Sequence, residues 1–238
     1  MDGDEKMLEL NQVRKEYRDV LQTITAVAVD HLMIQTGEQI ALVGPSGSGK
    51  TTLLHLISGL LTPTAGEIKF NDIVLSSMPE TWRDTWRAKA VGYVFQKLNL
   101  LSSLTVLDNL LVAMSFANVI PKKDQRQWAI QLLDQVGVSD KLGKFPHQLS
   151  MGEQQRVAAA RAVINKPSLI LADEPTASLD QDNGLLVLDM LRQFAKESGS
   201  TLVVSTHDRQ IINQFERICS LRKQPEEVIG SATSNRLA

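Results

Sequence analysis

The chain has 238 residues, of which 43 % are hydrophobic, and its formal net charge is −2. This length suits one large α/β domain, or one domain with a small lobe, and the slightly acidic charge gives no electrostatic case for binding nucleic acid. Cys219 is the only cysteine, which excludes a disulfide within the chain and indicates a reducing compartment. The acidic N-terminus lacks the cationic start of a secretory signal, and the longest weakly polar run, residues 110–120, is too short to span a bilayer. We therefore expect a protein that is soluble by itself.

Two alternating segments near the start of the chain predict an antiparallel hairpin. Residues 7–13 and 24–34 alternate apolar and other side chains as strands do. Tyr17 follows the first segment and has two interpretations that its position supports equally. Its ring is suited to stacking on a purine base, and it is equally an ordinary half-buried strand tyrosine.

A glycine-rich loop follows the next apolar run, residues 39–43, and leads into a helix-period segment. It matches Gly-x-x-x-x-Gly-Lys-Ser/Thr, the P-loop pattern. Its glycines allow φ > 0, so that backbone N–H groups and the positive end of the following helix form a cradle for polyphosphate. Lys50 supplies charge for the β- and γ-phosphates, and the Thr51 hydroxyl is placed to ligate Mg²⁺. The sequence therefore predicts a nucleoside triphosphate held by Gly44, Pro45, Ser46, Gly47, Ser48, Gly49, Lys50, Thr51 and Thr52.

Beyond this loop the sequence predicts a further strand of the small sheet. Gly59 is expected to cap the P-loop helix, and residues 63–66 are expected to form a turn. Residues 67–70 alternate as a strand does. Trp82 and Trp86 then lie four residues apart on one face of a predicted helix, a spacing more typical of a packing stripe than of a binding platform.

The remaining segments predict a mostly parallel sheet with an insertion of helices. Strands alternating with helices imply a parallel sheet that is covered on both faces. Between Gln96 and Ser150 the apolar residues fall at helical spacing, which predicts two or three inserted helices. From Arg222 the chain is polar, and we expect its last dozen residues to be loose. Buried strands are predicted at residues 90–95, 168–172 and 201–205, and a helix at 184–195.

Two adjacent carboxylates, Asp173 and Glu174, end one of these buried strands. Charges at such a position are costly unless they have cations or protons to handle. Because ligands bind at the carboxyl ends of parallel strands, both side chains should face the P-loop phosphates. We expect Asp173 to hold Mg²⁺ and Glu174 to polarise the attacking water as general base.

His207 and Gln96 each follow a predicted strand of the same sheet, and each has a structural alternative. An isolated histidine is more often a structural residue than a catalytic one, although here it is placed to reach the γ-phosphate as a donor. The Gln96 amide is placed to bridge Mg²⁺ and the attacking water. Judged alone, neither position favours a functional role over a structural one.

A second helix start with phosphate-binding character begins at Ser150. Ser150 and Glu153 form a capping box ahead of an Ala-rich run, so the plain interpretation is a well-capped helix. Small residues and free N–H groups at this start also suit a phosphate contact. A head-to-tail dimer would use both helix starts, by sharing ATP between the P-loop of one subunit and the Ser150 helix of the other.

Together these motifs resemble those of the ATP-binding-cassette (ABC) ATPases over essentially the whole chain. The resemblance implies an enzyme that hydrolyses ATP with Mg²⁺. The family's motifs occur in order: Tyr17 at the adenine-stacking position, residues 44–51 as P-loop, Gln96 as Q-loop glutamine, Ser150, Gly152 and Glu153 in the signature motif, Asp173 at the end of the Walker B strand, Glu174 as catalytic glutamate, Asp180 in the D-loop and His207 as switch histidine.

The resemblance also implies a fold and partners. The fold is α/β, with a P-loop NTPase (RecA-like) core, a mostly parallel sheet, an antiparallel β lobe and an inserted helical subdomain. The partners are a second ATPase subunit, identical or similar, in an ATP-sandwich dimer, and integral membrane permease subunits whose short helices enter grooves beside the Q-loop. In a single nucleotide-binding domain, we assign the β lobe to residues 1–36 and 60–76, the core to 37–59, 77–96 and 165–222, the helical subdomain to 97–164 and a tail to 223–238.

Within the family, residues 101–110 and 147–161 resemble the lipoprotein-releasing, macrolide-exporting and cell-division branch. The chain departs from the family pattern in two places. Met151 stands where the signature motif usually has its first glycine, so its side chain must point away from phosphate or alter the dimer contact. Residues 218–225 lack the usual acidic-Gly turn.

We therefore expect the ATP-hydrolysing subunit of a bacterial ABC transport system, at the cytoplasmic face of the inner membrane, powering a membrane-spanning partner for export or lipid extraction. The alternative is a regulatory ABC ATPase that transmits force through a membrane partner to a cell-envelope enzyme. A soluble ABC protein acting on DNA or the ribosome is disfavoured, because it normally needs a second cassette or coiled-coil insertion and a basic surface. No residue pattern specifies the substrate, the direction of transport or the identity of the membrane partner.

Overall fold

The computed structural model describes residues 6–18, 22–222 and 227–228, and these form two sheets, seven α-helices and three short 3-10 helices. The strands are β1 (Lys6–Arg18), β2 (Gln22–Gln35), β3 (Gln39–Val43), β4 (Ala65–Phe70), β5 (Ile73–Val74), β6 (Val91–Val94), β7 (Leu169–Asp173), β8 (Thr201–Thr206), β9 (Arg217–Ser220) and β10 (Glu227–Val228). The helices are α1 (Lys50–Ile57), α2 (Glu80–Ala90), α3 (Val106–Ala117), α4 (Lys122–Gln135), α5 (Met151–Val163), α6 (Gln181–Ser198) and α7 (Arg209–Ile212).

The first sheet is antiparallel, in the order β10-β2-β1-β4-β5. The predicted hairpin is present as β1 and β2, and the predicted strand at residues 67–70 lies within β4. The short strands β5 and β10 were not predicted, because two residues are too few to show an alternation. The expectation of a loose end to the chain is wrong for Glu227–Val228, which pair with β2. The rest of the predicted tail lies outside the described residues.

The second sheet is entirely parallel, in the order β6-β7-β8-β3-β9. Its central strands β7 and β8 are buried at every residue, which is why they appear in the sequence as continuous apolar runs. The edge strand β9 was not predicted, since its residues alternate between half-buried and exposed and include Arg217. The prediction of a mostly parallel sheet is confirmed.

Two hydrophobic clusters cover the faces of the parallel sheet. Along β7, Leu169 and Leu171 pack with α1 and the antiparallel sheet, whereas Ile170 and Ala172 pack with helices α3 to α6. Successive side chains of a strand point to opposite faces, so both faces are covered. The carboxyl edge of the sheet is left for polar groups. The exact boundaries of the three lobes stay predictions.

The helical insertion predicted between Gln96 and Ser150 is present as α3 and α4. Helix α3 is capped by the Thr105 hydroxyl, which accepts a hydrogen bond from the Asp108 amide, and it ends at Asn118 in the left-handed conformation. Across the described residues, none of the helices combines the length and apolar character that crossing a membrane requires. The apolar residues that predicted these helices are buried at Leu107, Leu110, Met114, Leu132, Leu133 and Val136.

Helix α2 differs from its prediction. Trp86 packs edge-on against Phe70, with 5.0 Å between ring centroids, as a packing residue should. Trp82, one turn earlier, is 70 % exposed, so the expected packing stripe is wrong there. No residue of α2 is fully buried. This helix lies at the surface, and a single aromatic side chain fills its contact with the small sheet.

Candidate nucleotide site

A cleft of about 740 Å³ lies at the carboxyl edge of the parallel sheet. The residues that line it come directly after strands β3, β6, β7 and β8, together with one stretch of β2. The tertiary structure therefore collects into one place side chains that are far apart in the sequence. The lining residues are Ile24, Thr25, Ala26, Pro45, Ser46, Gly47, Ser48, Gly49, Lys50, Thr51, Thr52, Gln96, Glu174 and His207.

The loop between β3 and α1 depends on its glycines in two different ways. Gly47 and Gly49 have φ of 76° and 91°, and Gly49 is the N-cap of α1. A Cβ at Gly49 would also collide with the Ala26 carbonyl oxygen of β2. The expectation that Gly44 has φ > 0 is wrong. Its missing side chain instead leaves room for the Ser48 Oγ and the Leu221 carbonyl oxygen, which would lie 2.5 and 2.7 Å from a Cβ.

Lys50 is the buried cation of the site. Its Nζ donates hydrogen bonds to the carbonyl oxygens of Gly44, at 2.8 Å, and Pro45, at 3.4 Å. It also lies 3.7 Å from Glu174 Oε1. A buried ammonium is tolerated only when it is hydrogen-bonded and paired. The loop carbonyls and Glu174 therefore hold this charge at the bottom of the cleft.

Asp173 receives two hydroxyl donors at the end of β7. Thr51 Oγ1 donates to Asp173 Oδ2 at 2.8 Å, and Ser205 Oγ donates to Asp173 Oδ1 at 2.5 Å. The amide of Glu174 donates to the same Ser205 hydroxyl at 3.1 Å. Sequence analysis did not identify Ser205 as a site residue. The signal that would have found it is a polar residue in a fully buried strand, β8, directly opposite the carboxylate of β7.

Glu174 has a strained backbone, and its carboxylate contacts both Lys50 and His207. Its φ is 47°, in the left-handed region that costs a non-glycine residue about 1–2 kcal/mol. The His207 Nδ1 lies 2.9 Å from Glu174 Oε2 and 3.1 Å from Oε1. The Glu174 side chain is 12 % exposed and that of His207 is 71 % exposed. The carboxylate is thus held between the buried Lys50 and an imidazole at the mouth of the cleft.

The oxygen donors at the bottom of the cleft fit a magnesium ion. The Thr51 hydroxyl and the Asp173 carboxylate, 2.8 Å apart, are hard ligands of the kind that Mg²⁺ prefers, and Gln96 lines the same cleft. The described part of the chain has no group of three His, Cys, Asp or Glu residues arranged to hold a metal. Mg²⁺ is typically bound by one or two protein oxygens together with substrate phosphate and water, so this donor set is sufficient. The buried hydroxyl of Ser48, which has no hydrogen-bond partner in the described residues, also lines the cleft.

Tyr17 lies beside the cleft on β1. It is paired with Ile24 of β2, which does line the cleft, whereas Tyr17 does not. Its ring is 48 % exposed and has the Lys15 ammonium 5.5 Å from its centroid. Both interpretations of this tyrosine stay open.

The predicted signature residues lie outside this cleft and gather at a second place. The capping box is present: Ser150 Oγ accepts from the Glu153 amide at 3.3 Å, and Glu153 Oε2 accepts from the Ser150 amide at 2.7 Å. Asp180 caps α6 by accepting from the Asn183 amide at 3.0 Å. A Cβ at Gly152 would lie 3.5 Å from Asn183 Oδ1, so the starts of α5 and α6 are adjacent.

These caps stabilise charged carboxylates at the two helix starts. The Ser150 amide hydrogen bond, followed by that of its hydroxyl, lowers the pKa of Glu153. The Asn183 amide hydrogen bond, followed by its side chain, lowers the pKa of Asp180. Met151, the first residue of α5, is 48 % exposed.

The fold and the cleft together define a class of protein. A parallel α/β sheet with a P-loop after β3, and an acidic pair at the end of β7 two strands away, belongs to the P-loop nucleotide hydrolases. The family described as ABC transporter matches residues 28–177 of this chain. The chain belongs to the ABC transporter family.

Relatives agree with this assignment. The chain is 41 % identical over 217 residues to the lipoprotein-releasing system ATP-binding protein LolD of Psychrobacter arcticus, covering 91 % of this chain and 95 % of that protein. It is 39 % identical to the macrolide export ATP-binding/permease protein MacB of Rhodopirellula baltica, covering 91 % of this chain and 32 % of that longer protein. Among solved structures, a dimeric post-hydrolysis state of the ATP-binding cassette MJ0796 bound to ADP and Pi is 35 % identical, with a TM-score of 0.85 and coverage of 94 % of this chain and 100 % of that one.

These findings confirm the predicted family, its lipoprotein-releasing and macrolide-exporting branch, and the α/β P-loop fold. The chain is an ATP-binding ABC ATPase.

Proposed function

We propose that this chain hydrolyses ATP to power a separate membrane-spanning partner, in a transport system of the lipoprotein-releasing or exporting type. The observation that carries the proposal is the convergence of Lys50, Glu174 and the Thr51–Asp173 pair on one cleft. A passive nucleotide sensor would need the phosphate cradle, but it would not need a nearly buried glutamate held against the buried lysine.

In this proposal Thr51, Asp173 and Gln96 hold Mg²⁺, which neutralises charge on the phosphates when it is bound. Lys50 binds the β- and γ-phosphates, and the loop from Gly44 to Thr52 surrounds them with the backbone N–H groups of its residues other than Pro45. Glu174 orients and deprotonates the attacking water as general base. His207 holds the Glu174 carboxylate and reaches toward the γ-phosphate.

The proposed active unit is a dimer, with an identical or similar ATPase subunit. Ser150, Gly152, Glu153 and Asp180 all lie away from the cleft of their own subunit. The positive end of α5 suits a phosphate, so these residues would complete the site of a partner subunit. The similarity to a dimeric cassette bound to ADP and Pi supports this arrangement.

A second cleft supports a membrane partner. It measures about 470 Å³ and lies between α2, β6, α3 and α5. Phe116, which is 76 % exposed, contributes an apolar rim. Tyr93 and Asn165 also line the cleft, and each has a buried side-chain oxygen without a hydrogen-bond partner in the described residues. We propose that a short cytoplasmic helix of a permease enters here, which would place the chain at the cytoplasmic face of the inner membrane.

Replacing the proposed base tests the catalytic assignment. Glu174→Gln keeps the size of the side chain and removes the proton acceptor. We expect ATP binding to persist and turnover to fall by about 100-fold or more, with ATP trapping a dimer detectable by size-exclusion chromatography with light scattering. Glu197→Gln, at an exposed position on α6, is the matched control and should behave as wild type. Near-normal turnover by Glu174→Gln would exclude Glu174 as the base.

Replacing the buried cation tests the phosphate cradle. Lys50→Ala removes the charge at the bottom of the cleft, so we expect ATP affinity, measured by isothermal titration calorimetry, to fall below detection. Lys196→Ala removes an exposed ammonium from α6 and should leave the affinity unchanged. Tight ATP binding by Lys50→Ala would contradict the proposed role of the loop.

A further inference from the structure

Arg161 is an inward-facing cation on α5 that no carboxylate neutralises. Among the described residues, no acidic side chain lies within ion-pairing distance of its guanidinium. Burial lowers the pKa of Arg161, and no neighbouring charge opposes this effect. A desolvated charge without a counter-ion is costly, so its hydrogen bonds must compensate.

Those hydrogen bonds go to the backbone of the segment that follows Gln96. Arg161 Nη2 donates to the Leu98 carbonyl oxygen at 2.8 Å, and Nη1 donates to the Asn99 carbonyl oxygen at 2.7 Å. Both are short, charge-assisted bonds from one planar guanidinium. Asn99 has φ of 50°, a left-handed conformation that asparagine tolerates. The guanidinium thus holds a bend two residues beyond Gln96.

The strand that leads to Gln96 is packed on the same helix. A Cβ at Gly92 of β6 would collide with the carbonyl oxygen of Ala162, so the backbones of β6 and α5 are in direct contact next to Arg161. The loop is therefore anchored to α5 on both sides of Gln96. Ser150, the N-cap of α5, lies about three turns before Arg161. These contacts restrict the movement of Gln96 relative to the start of α5.

We propose that Arg161 is a positioning residue, which holds the Gln96 loop to α5 so that Gln96 and the Ser150 end of this helix move as one body. The residue does not touch the nucleotide cleft. It also lines the second cleft, so an occupant of that cleft would contact the guanidinium and the loop together. The expected effect on kcat rests on the proposed function of Gln96. The anchoring of the segment after Gln96 to α5 does not.

Arg161→Met, which keeps an unbranched apolar stem but removes the guanidinium and its donors, tests the proposal in the full chain. Hydrogen exchange followed by mass spectrometry should show at least about tenfold faster exchange in residues 97–101, where the Leu101 amide is bonded to the buried Asn109 side chain, and unchanged exchange in α1. The kcat for ATP should fall about tenfold or more, because misplacement of a catalytic group by about 1 Å costs up to 100-fold. The Kd for ATP should stay within about threefold, because the P-loop is untouched.

Arg161→Lys keeps the charge and a single donor nitrogen, so both the faster exchange and the loss of kcat should be smaller than in Arg161→Met. If Arg161→Met fails to fold, the lysine variant should still show a smaller change of both kinds. Arg126→Met, at an exposed position on α4, is the control and should match wild type. Unchanged exchange in residues 97–101 would overturn the proposal. Faster exchange with unchanged kcat would also overturn it, provided that Gln96→Ala lowers kcat. Gln96→Ala separates the catalytic role of Gln96 from the anchoring role of Arg161. Wild-type kcat in that variant contradicts the proposed role of Gln96, and the anchoring role of Arg161 is then decided by the exchange result alone.

Discussion

Removing the Ser205 hydroxyl should damage the site without touching the nucleotide loop. Ser205→Ala deletes the donor that lies 2.5 Å from Asp173 Oδ1 and one acceptor of the Glu174 amide. Ser205 is fully buried, so water cannot replace the lost hydroxyl without a local opening. Of the two hydroxyl groups that donate to Asp173, only that of Thr51 would remain, and the carboxylate could rotate about that hydrogen bond.

The magnitude follows from the two bonds. A hydrogen bond to a charged group contributes about 1.5–3 kcal/mol, and a neutral one about 0.5–1.5 kcal/mol. The Glu174 amide also donates to the Ser205 carbonyl oxygen at 3.1 Å, so it retains a partner and the second loss is small. We expect the free energy of unfolding to fall by about 2–3 kcal/mol, which lowers Tm by about 5–10 °C for a chain of this size.

Turnover separates a local role from a purely structural one. We expect the kcat of Ser205→Ala for Mg-ATP, in a coupled phosphate-release assay well below its Tm, to fall by about 10- to 100-fold. The KM for ATP should change less than about threefold. Ser200→Ala is the matched control, since Ser200 is equally buried and donates to the Pro167 carbonyl oxygen at 2.6 Å, next to the opposite end of β8. Wild-type kcat in Ser205→Ala, or an equal loss of kcat in Ser200→Ala, would refute the reasoning.

Two further substitutions test the interior beside the cleft. Tyr93→Phe removes a buried hydroxyl that has no hydrogen-bond partner in the described residues, so urea unfolding should show equal stability or a gain of about 1 kcal/mol. A loss greater than about 1 kcal/mol would mean that the hydroxyl is bonded. Burial lowers the pKa of His55 from its ordinary 6.5, an effect that Asp173 partly opposes. The folded state therefore favours the neutral ring, and this contribution to stability is complete above about pH 6.5 and is lost as the pH falls below it. His55→Gln should remove that dependence, and parallel pH profiles for the two proteins would contradict the predicted contribution of His55.

The P-loop was predictable because its information is local. The glycines, Lys50 and Thr51 stand within one turn and one helix start, where backbone sterics and the helix dipole act over a few residues. Even there, the sequence did not reveal how Gly44 is used. Its need for a small residue comes from the Leu221 carbonyl oxygen, which a segment far along the chain places against it.

Edges and surfaces were predicted less well than the interior. Strands β7 and β8 are continuous apolar runs because they are buried on both faces, so their pattern is strong. Strand β9 lies at the edge of the sheet with an alternating exposure, and its register beside β3 is set by pairing rather than by its own composition. Helix α2 was also predicted only in part. Helical spacing places Trp82 and Trp86 on one side of the helix, but it does not show that the neighbouring sheet reaches Trp86 and leaves Trp82 exposed.

By itself the sequence predicted a phosphate cradle, an acidic pair at the end of a buried strand and a capped helix suited to a second phosphate, because each depends on neighbours in the chain. Only the tertiary structure decided that Ser205 supports Asp173 and that Arg161 holds the loop after Gln96. Ser205 and Asp173 are 32 residues apart in the sequence, and Arg161 is more than 60 residues from the carbonyl groups that it holds. Their contacts follow from strand register and from the packing of α5 on β6. Such contacts depend on the geometry of the whole sheet, which no local pattern of residues contains.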